Sequence, residues 1–434
     1  MNRILKINGF PIDQAVKTIK RIKSLPYKEI LAYQEEMKWS ILRHHCEKNM
    51  HYRRFLNQQG FSNWLDIPVL KKSDLQSPLH ERFSEGYSFK NSHVHNTSGS
   101  TGTPFFFAKD KFCHALSWAI IYDRFGLHGI KNGRDLQARF YGIPKGRFKG
   151  LKERIKDCLS ARIRFPVFDL SDKVLDQFFK KFIRWPFVYV NGYTSSLVMM
   201  ARYCIERDIE LKSVCPSLQK VFTTSEVCDD LDRRILERGF GVPVVNEYGA
   251  AELDLIGFED QNGDWLLNNE TLFVEILNKD NQPVAEGHEG RVVVTSLYNK
   301  AMPFIRYDLG DRAILKKEIK GTYHIFESVI GRTNDIAILP SGKISPGLTF
   351  YYISKKLLEG DGFMKEFVII QKKINHFHYQ YVASRKLNIK EINNVRAAMN
   401  LYLEPGLEIT FEKKDKIERS GAGKIKHFYS HLDE

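Results

Sequence analysis

Along residues 27–56, Tyr33, Met37 and Ile41 recur every fourth position, with Glu35, Glu36, Lys38 and Arg43 on the other faces. That spacing predicts an amphipathic helix. A short apolar segment follows, Ile67-Pro68-Val69-Leu70, with Ser73 placed to cap another helix. From about 94 to 250 the pattern changes to short apolar runs alternating with helical stretches. The runs at 187–190, 218–222 and 242–245 predict buried strands, and 195–207 and 231–238 predict the helices between them. Strand, helix, strand at this interval points to a mostly parallel sheet with covering helices.

After about 264 the strand-like runs come without helices, at 272–276, 291–295 and 312–315. Turns are expected at Lys279-Asp280-Asn281 and Glu286-Gly287, giving an antiparallel or barrel-like part. A third texture begins near 331. It has strands at 367–370 and 377–381, a helix at 389–403 opened by the capping pair Asn388 and Glu391, and a last strand at 406–411. The expected architecture is therefore α/β. A large N-terminal domain, 1–330, has a helical lead-in (1–75) and its antiparallel or barrel-like part at about 264–330. A small α+β domain, 331–434, follows.

Composition changes this picture little. With 434 residues the chain exceeds one ordinary core, and 43% hydrophobic with 27% charged residues is usual for a soluble globular protein. No apolar run reaches the roughly 20 residues that span a bilayer, and residues 1–10 lack the apolar stretch of a secretory signal. Cytoplasm is the expected location. The six cysteines are scattered with no CxxC, which suits a reducing compartment and argues against a structural metal. The net charge of +14 favours anionic ligands such as ATP, with weak attraction to an anionic membrane surface. No helix-turn-helix, zinc-finger or RNP-like signature accompanies it, which argues against nucleic acid.

Five short motifs carry candidate chemistry. Asn96-Thr97-Ser98-Gly99-Ser100-Thr101-Gly102-Thr103-Pro104 is a loop rich in backbone N–H and hydroxyl donors that could wrap phosphate oxygens, without Walker spacing. Asn246-Glu247-Tyr248-Gly249-Ala250-Ala251-Glu252 follows a strand directly. It offers a ring to stack on a base, a glycine for close approach and a carboxylate for a metal. Arg306-Tyr307-Asp308-Leu309-Gly310-Asp311 supplies an aspartate suited to ribose hydroxyls, or else a turn with a structural Arg–Asp pair. Gly331-Arg332-Thr333-Asn334-Asp335 lies where the texture shifts and reads as a hinge. Ser420-Gly421-Ala422-Gly423-Lys424 puts a lysine on a glycine-rich loop, able to bring positive charge to a developing phosphate anion.

In this order the motifs resemble the adenylate-forming superfamily of acyl-CoA synthetases and adenylation domains. The likeness is greatest to its phenylacetate–CoA ligase group and the capsular polysaccharide biosynthesis branch, and it runs over nearly the whole chain. It implies an ATP-dependent ligase that makes an acyl-AMP and passes the acyl group to CoA, a carrier-protein thiol, or a sugar amine or hydroxyl. By the same likeness, Thr97, Ser98, Gly99, Ser100, Thr101, Gly102 and Thr103 would hold the ATP phosphates. Tyr248 and Gly249 would hold adenine, Asp311 and Arg332 the ribose. Glu252 would ligate Mg²⁺, Asn334 would be the hinge, and Lys424 would act in adenylation. Tyr141, Gly192, Tyr193, Ser225 and Ala250 would border the carboxylate substrate. The phosphate loop lacks the Lys-Gly many relatives carry after the proline, and the ribose motif has Asp308-Leu309 where many have Arg-Thr. An adenylyltransferase that stops at an AMP conjugate, or a binding protein of the same fold without catalysis, are the alternatives. The identity of the acid, the acceptor, the oligomeric state and the pathway are not encoded in these motifs.

Overall fold

The computed structural model describes residues 2–57, 60–97, 105–141, 157–167, 170, 172–332, 336–342, 344–346, 350, 353–354, 363–417 and 428–432. The chain divides into two compact units, 1–309 with 313–328, and 310–312 with 329–434.

Thirteen strands are taken in chain order to 332: β1 (Ser92–Thr97), β2 (Phe105–Asp110), β3 (Gln137–Phe140), β4 (Arg162–Phe165), β5 (Tyr189–Tyr193), β6 (Lys220–Thr224), β7 (Val244–Ala250), β8 (Asp254–Glu259), β9 (Trp265–Leu267), β10 (Leu272–Leu277), β11 (Glu289–Ser296), β12 (Tyr307–Lys320) and β13 (Tyr323–Arg332). The first two form an antiparallel hairpin in which Thr97 pairs with Phe105. The other eleven form one sheet in the order β10-β11-β12-β13-β9-β8-β7-β6-β5-β3-β4. Strands β4, β3, β5, β6 and β7 run parallel, and β7, β8 and β9 antiparallel. The strands expected after 264 are thus hydrogen-bonded into the same sheet as the parallel ones.

Alternation of side chains explains why helices cover both faces of the parallel part. Ala138, Phe140, Val190, Val221 and Val244 point to one side, where they pack with Phe178, Leu197, Ala201 and Leu236 of the helices Asp172–Arg184, Thr194–Ile205 and Asp230–Phe240. Tyr189, Phe222 and Val245 point to the other, against Ile12, Ile19, Leu116 and Ile120 of the helices Ile12–Lys23 and Lys111–Leu127. Three layers result. No helix among the described residues is long and apolar enough to cross a membrane.

Three local expectations change. The helix at 27–56 is two helices, Tyr27–Lys48 and Met50–Leu56. The break is at Asn49, whose Oδ1 accepts from Tyr52 N at 2.8 Å while its Nδ2 donates to Arg82 O at 2.9 Å. Ser73 lies inside a 3-10 turn, Lys72–Leu75, and caps nothing; Asp74 instead accepts from the Lys71 backbone at 2.7 Å. The strands expected at 187–190, 218–222 and 242–245 all sit further along, as β5, β6 and β7.

In the second unit, β14 (Ile336–Ile338) pairs with β15 (Ile344–Pro346). A four-stranded sheet has β18 (Glu408–Lys413), β17 (His376–Ala383), β16 (Met364–Lys373) and β19 (Phe428–Ser430) in that order. The helix Ile389–Tyr402 begins with the expected capping box: Asn388 Oδ1 accepts from Glu391 N at 2.9 Å and Glu391 Oε2 from Asn388 N at 2.8 Å.

Candidate active site

The carboxyl end of β7 delivers the Tyr248–Glu252 motif. Tyr248 is half-buried, with its ring edge-on to Phe326 at 5.8 Å. At Gly249 the β7–β8 register slips by one, and an added Cβ would stand 2.1 Å from the carbonyl oxygen of Asp254. Only glycine fits there. The chain then turns so that Glu252 is buried, and Tyr307 Oη donates to Glu252 Oε1 at 3.0 Å. Tyr307 in turn packs edge-on to Phe304 at 5.1 Å, and Phe304 lies 6.4 Å from Phe105, the first residue after the 98–104 loop. One packed line therefore joins the segment following the phosphate-loop motif, the Arg306–Asp311 motif and the Tyr248–Glu252 motif.

The same turn is tied down from below. Buried Lys109 on β2 donates to Ala251 O at 3.2 Å and pairs with the Asp254 carboxylate, which Ser117 also contacts. Burial opposes ionisation of Asp254, but Lys109 and Ser117 hold its pKa below the usual carboxylate value. Arg306 is structural. Its guanidinium is fully buried, donating to Leu65 O at 2.9 Å and Ile67 O at 2.7 Å and lying 3.3 Å from Glu275. Asp308 pairs with Arg291 rather than with Arg306.

A second group lies on one face at the carboxyl ends of β3, β5, β6 and β7. Tyr193 pairs in register with Thr224, and Thr224 with Glu247. The rings of Tyr141 and Tyr193 are 4.7 Å apart, and Asn191 Nδ2 donates to Glu247 Oε1 at 2.8 Å. Burial pushes the Glu247 carboxyl up to about 7, against the pull of Asn191, Thr224 and Arg139. Ser225 takes a left-handed φ of 69°, an unusual conformation for a non-glycine residue. Glu226 accepts from Ser195 N at 2.7 Å at the start of the helix Thr194–Ile205. Gly192 is held by packing: a Cβ would meet Phe140 Cβ at 2.5 Å.

Thr97 ends β1; Ser98, Gly99, Ser100, Thr101, Gly102, Thr103, Asn334 and Lys424 lie outside the described residues. Arg332 ends β13. Asp311 is buried in β12, within the segment 310–312 that groups with the second unit. Ala250 is half-buried at the end of β7. Tyr307, Lys109, Arg139 and Glu247 escaped the sequence reading as site residues. For Tyr307 and Glu247 the signal was present, since both sit inside motifs singled out for their neighbours.

No family model matches the chain. Protein CapK of Staphylococcus aureus is 26% identical over 263 residues, 58% of this chain and 54% of CapK. Phenylacetate-coenzyme A ligase of Thermus thermophilus is 24% identical over 343 residues, 75% of each chain. The matched stretch is thus about half of CapK and three quarters of the ligase. The fold is that of a 2-hydroxyisobutyryl-CoA ligase solved in its postadenylation state with R3-HIB-AMP, at a TM-score of 0.70 and 17% identity, covering 95% of this chain and 92% of that one. In sequence the chain is similar to CapK and to phenylacetate-coenzyme A ligase.

Proposed function

We infer that the chain is an ATP-dependent, AMP-forming ligase that activates a carboxylic acid. The observation that carries this reading is the Tyr307–Glu252 hydrogen bond and the ring contacts behind it, which gather separate motifs of the sequence at one strand end. In the first step a carboxylate oxygen attacks the α-phosphorus of ATP. A C–O–P linkage forms, the bond from the α-phosphorus to its bridging oxygen breaks, and pyrophosphate leaves with the electron pair. In the second step the thiol of CoA attacks the acyl carbonyl, a thioester forms, AMP leaves and the thiol proton passes to solvent. A carrier-protein thiol or a sugar amine or hydroxyl would react at the same carbonyl, in keeping with a cytoplasmic role in polysaccharide biosynthesis.

The residues divide the work. Residues 97–103 would hold the phosphates, Tyr248 and Gly249 the adenine, and Asp311 and Arg332 the ribose. Tyr141, Gly192, Tyr193, Ser225 and Ala250 would border the acid. Magnesium commonly takes one or two carboxylates and completes its shell with phosphate oxygens and water. The single buried Glu252 carboxylate, oriented by Tyr307, fits that donor set and would hold the ion, which when bound offsets phosphate charge. Bringing a carboxylate to a triphosphate sets anion against anion, and the Lys424 ammonium would supply the matching positive charge while the small domain, 331–434, turns about Asn334 between the two steps.

ATP–pyrophosphate exchange against a panel of aryl, acyl, amino and hydroxy acids tests this directly. At least one acid is expected to support exchange, and Lys424→Ala is expected to abolish it while ATP binding persists. Absence of exchange with every acid overturns the reading, and unchanged exchange in the variant overturns the lysine's role.

A further inference from the structure

Three arginines lie on the adjacent strands β3 and β4, and they are not equivalent. Arg139 pairs in register with Arg164 on one side and Asn191 on the other, and Arg162 sits two residues before Arg164. Alternation puts all three on the face that also carries Tyr141, Tyr193 and Glu247. Asp157 pairs with two of them: it contacts Arg162 and lies 2.8 Å from Arg164 Nε. Arg139 makes no hydrogen bond or ion pair among the described residues, and its Nε is buried without a partner. Its guanidinium lies 4.2 Å above the centre of the Tyr141 ring.

A ring face beneath a guanidinium is attractive, but it satisfies none of the five N–H donors in the plane of the fork. Glu247, the other acid on this face, gives its Oε1 to Asn191, and burial drives it toward the neutral form. Among the described residues, the wall therefore presents a guanidinium with no ion-pair partner beside the two tyrosines proposed to border the substrate. A purely hydrocarbon or aryl acid would leave that fork unsatisfied and desolvated, which is strongly unfavourable.

We propose that Arg139 is a specificity-determining residue that receives a second carboxylate, so that the acid activated is a dicarboxylic acid bound by its distal end to the Arg139 fork. This rests on reading the Tyr141–Tyr193 wall as the acyl pocket of an adenylate-forming ligase. Bidentate geometry suits the planar fork and a planar carboxylate, and it discriminates against the monoacid of equal length by leaving the buried Nε donor unpaired.

The test compares matched pairs, succinate with butyrate and adipate with hexanoate, and adds phenylacetate, in ATP–pyrophosphate exchange. For wild type, the better dicarboxylate is expected to exceed its monoacid about a hundredfold in kcat/KM. Arg139→Met is expected to erase or reverse that ratio, Arg139→Lys to restore part of it, and Arg164→Met to leave it in place. Calorimetric titration of succinate gives a readout that needs no turnover: binding to wild type, with loss in Arg139→Met, supports the assignment. Because Arg139 has no hydrogen-bond or ion-pair partner among the described residues, Arg139→Met is expected to melt no lower than wild type. A lower melting temperature with an unchanged acid preference would make Arg139 a packing residue under Tyr141 and overturn the proposal. Wild-type exchange favouring monoacids, with Arg139→Met indistinguishable, overturns it while leaving the ligase reading intact. Exchange with none of the acids, together with no succinate binding, overturns both.

Discussion

Strands β5 and β17 both carry tyrosines among polar residues, Tyr189-Val190-Asn191-Gly192-Tyr193 and His376-Phe377-His378-Tyr379-Gln380-Tyr381, yet they meet opposite fates. All five positions of β5 are buried, because helices cover both faces of the sheet. In β17 burial alternates strictly, with Phe377, Tyr379 and Tyr381 inside and the two histidines and Gln380 at the rim. A polar side chain on β17 can use water. One on β5 cannot, and must find a partner, as Asn191 does in Glu247 at 2.8 Å, or a ligand. Doubly covered strands thus concentrate polar consequence at their carboxyl ends, where the candidate site lies, and the contrast can be tested position by position.

The largest effect is expected at Gly192. Alanine there would place a Cβ 2.5 Å from Phe140 Cβ and 2.8 Å from the Phe140 carbonyl oxygen, and both strands are pinned by helices above and below. Gly192→Ala should cost about 3 kcal/mol of stability in the first unit, near the upper range for an overpacked core. Denaturant unfolding measures this, and a cost near zero would mean that the parallel strands part more easily than their double cover implies.

Glu247 comes next, and its sign is set by proton linkage. Its ordinary value is 4.5 and burial raises it to about 7 in the fold. Between those two values the folded chain holds a proton that the unfolded chain has released, so this contribution is complete below pH 4.5 and is lost as pH rises toward 7. Glu247→Gln keeps an acceptor for Asn191 and removes the ionisation. The variant is expected to gain roughly 1–3 kcal/mol over wild type at pH 8 and nothing at pH 4.5. An equal displacement at both pH values would show that the carboxyl is solvated.

These same strand ends mark where sequence reading stops. The apolar runs started β5, β6 and β7 two residues early, because Phe187, Leu218 and Val242 are buried but lie outside the ladder, while the later halves of the true strands carry polar residues: Asn191, Thr224 and Glu247. Hydrophobic periodicity registers burial, and a laddered polar residue is invisible to it. Local chemistry was legible throughout, as the Asn388–Glu391 capping box shows, since its whole logic fits within four residues. The helix break at Asn49 was not, because it depends on Arg82 and Ser84, more than thirty residues away. Glu252 could be named from its motif, but its Tyr307 partner required the fold, and Arg139 had no local signal at all. Its meaning comes from Arg164 and Tyr141 being beside it and Asp157 being spent elsewhere.

The smallest effect should come from the rim of β17. Glu412 on β18 receives Lys414 at 2.6 Å, His378 Nε2 at 3.0 Å and Gln380 Nε2 at 3.1 Å. Those bonds, Lys414 foremost, hold its pKa down at about 2. A depressed carboxylate contributes stability that is present above its ordinary 4.5 and is lost as pH falls through about 2, so any contribution belongs to that acid window. The group is open to water, however, and exposed ion pairs are screened and entropically costly to hold in place. Three bonds to one carboxylate therefore count for less here than the single Asn191–Glu247 bond does on β5. Glu412→Gln is expected to leave the melting temperature of the chain unchanged at pH 7, at low salt and at high salt alike. A fall in the second unit's melting as large as the Glu247→Gln gain would place real stability at a one-sided strand's polar rim, and the distinction between the two sheets would lose its basis.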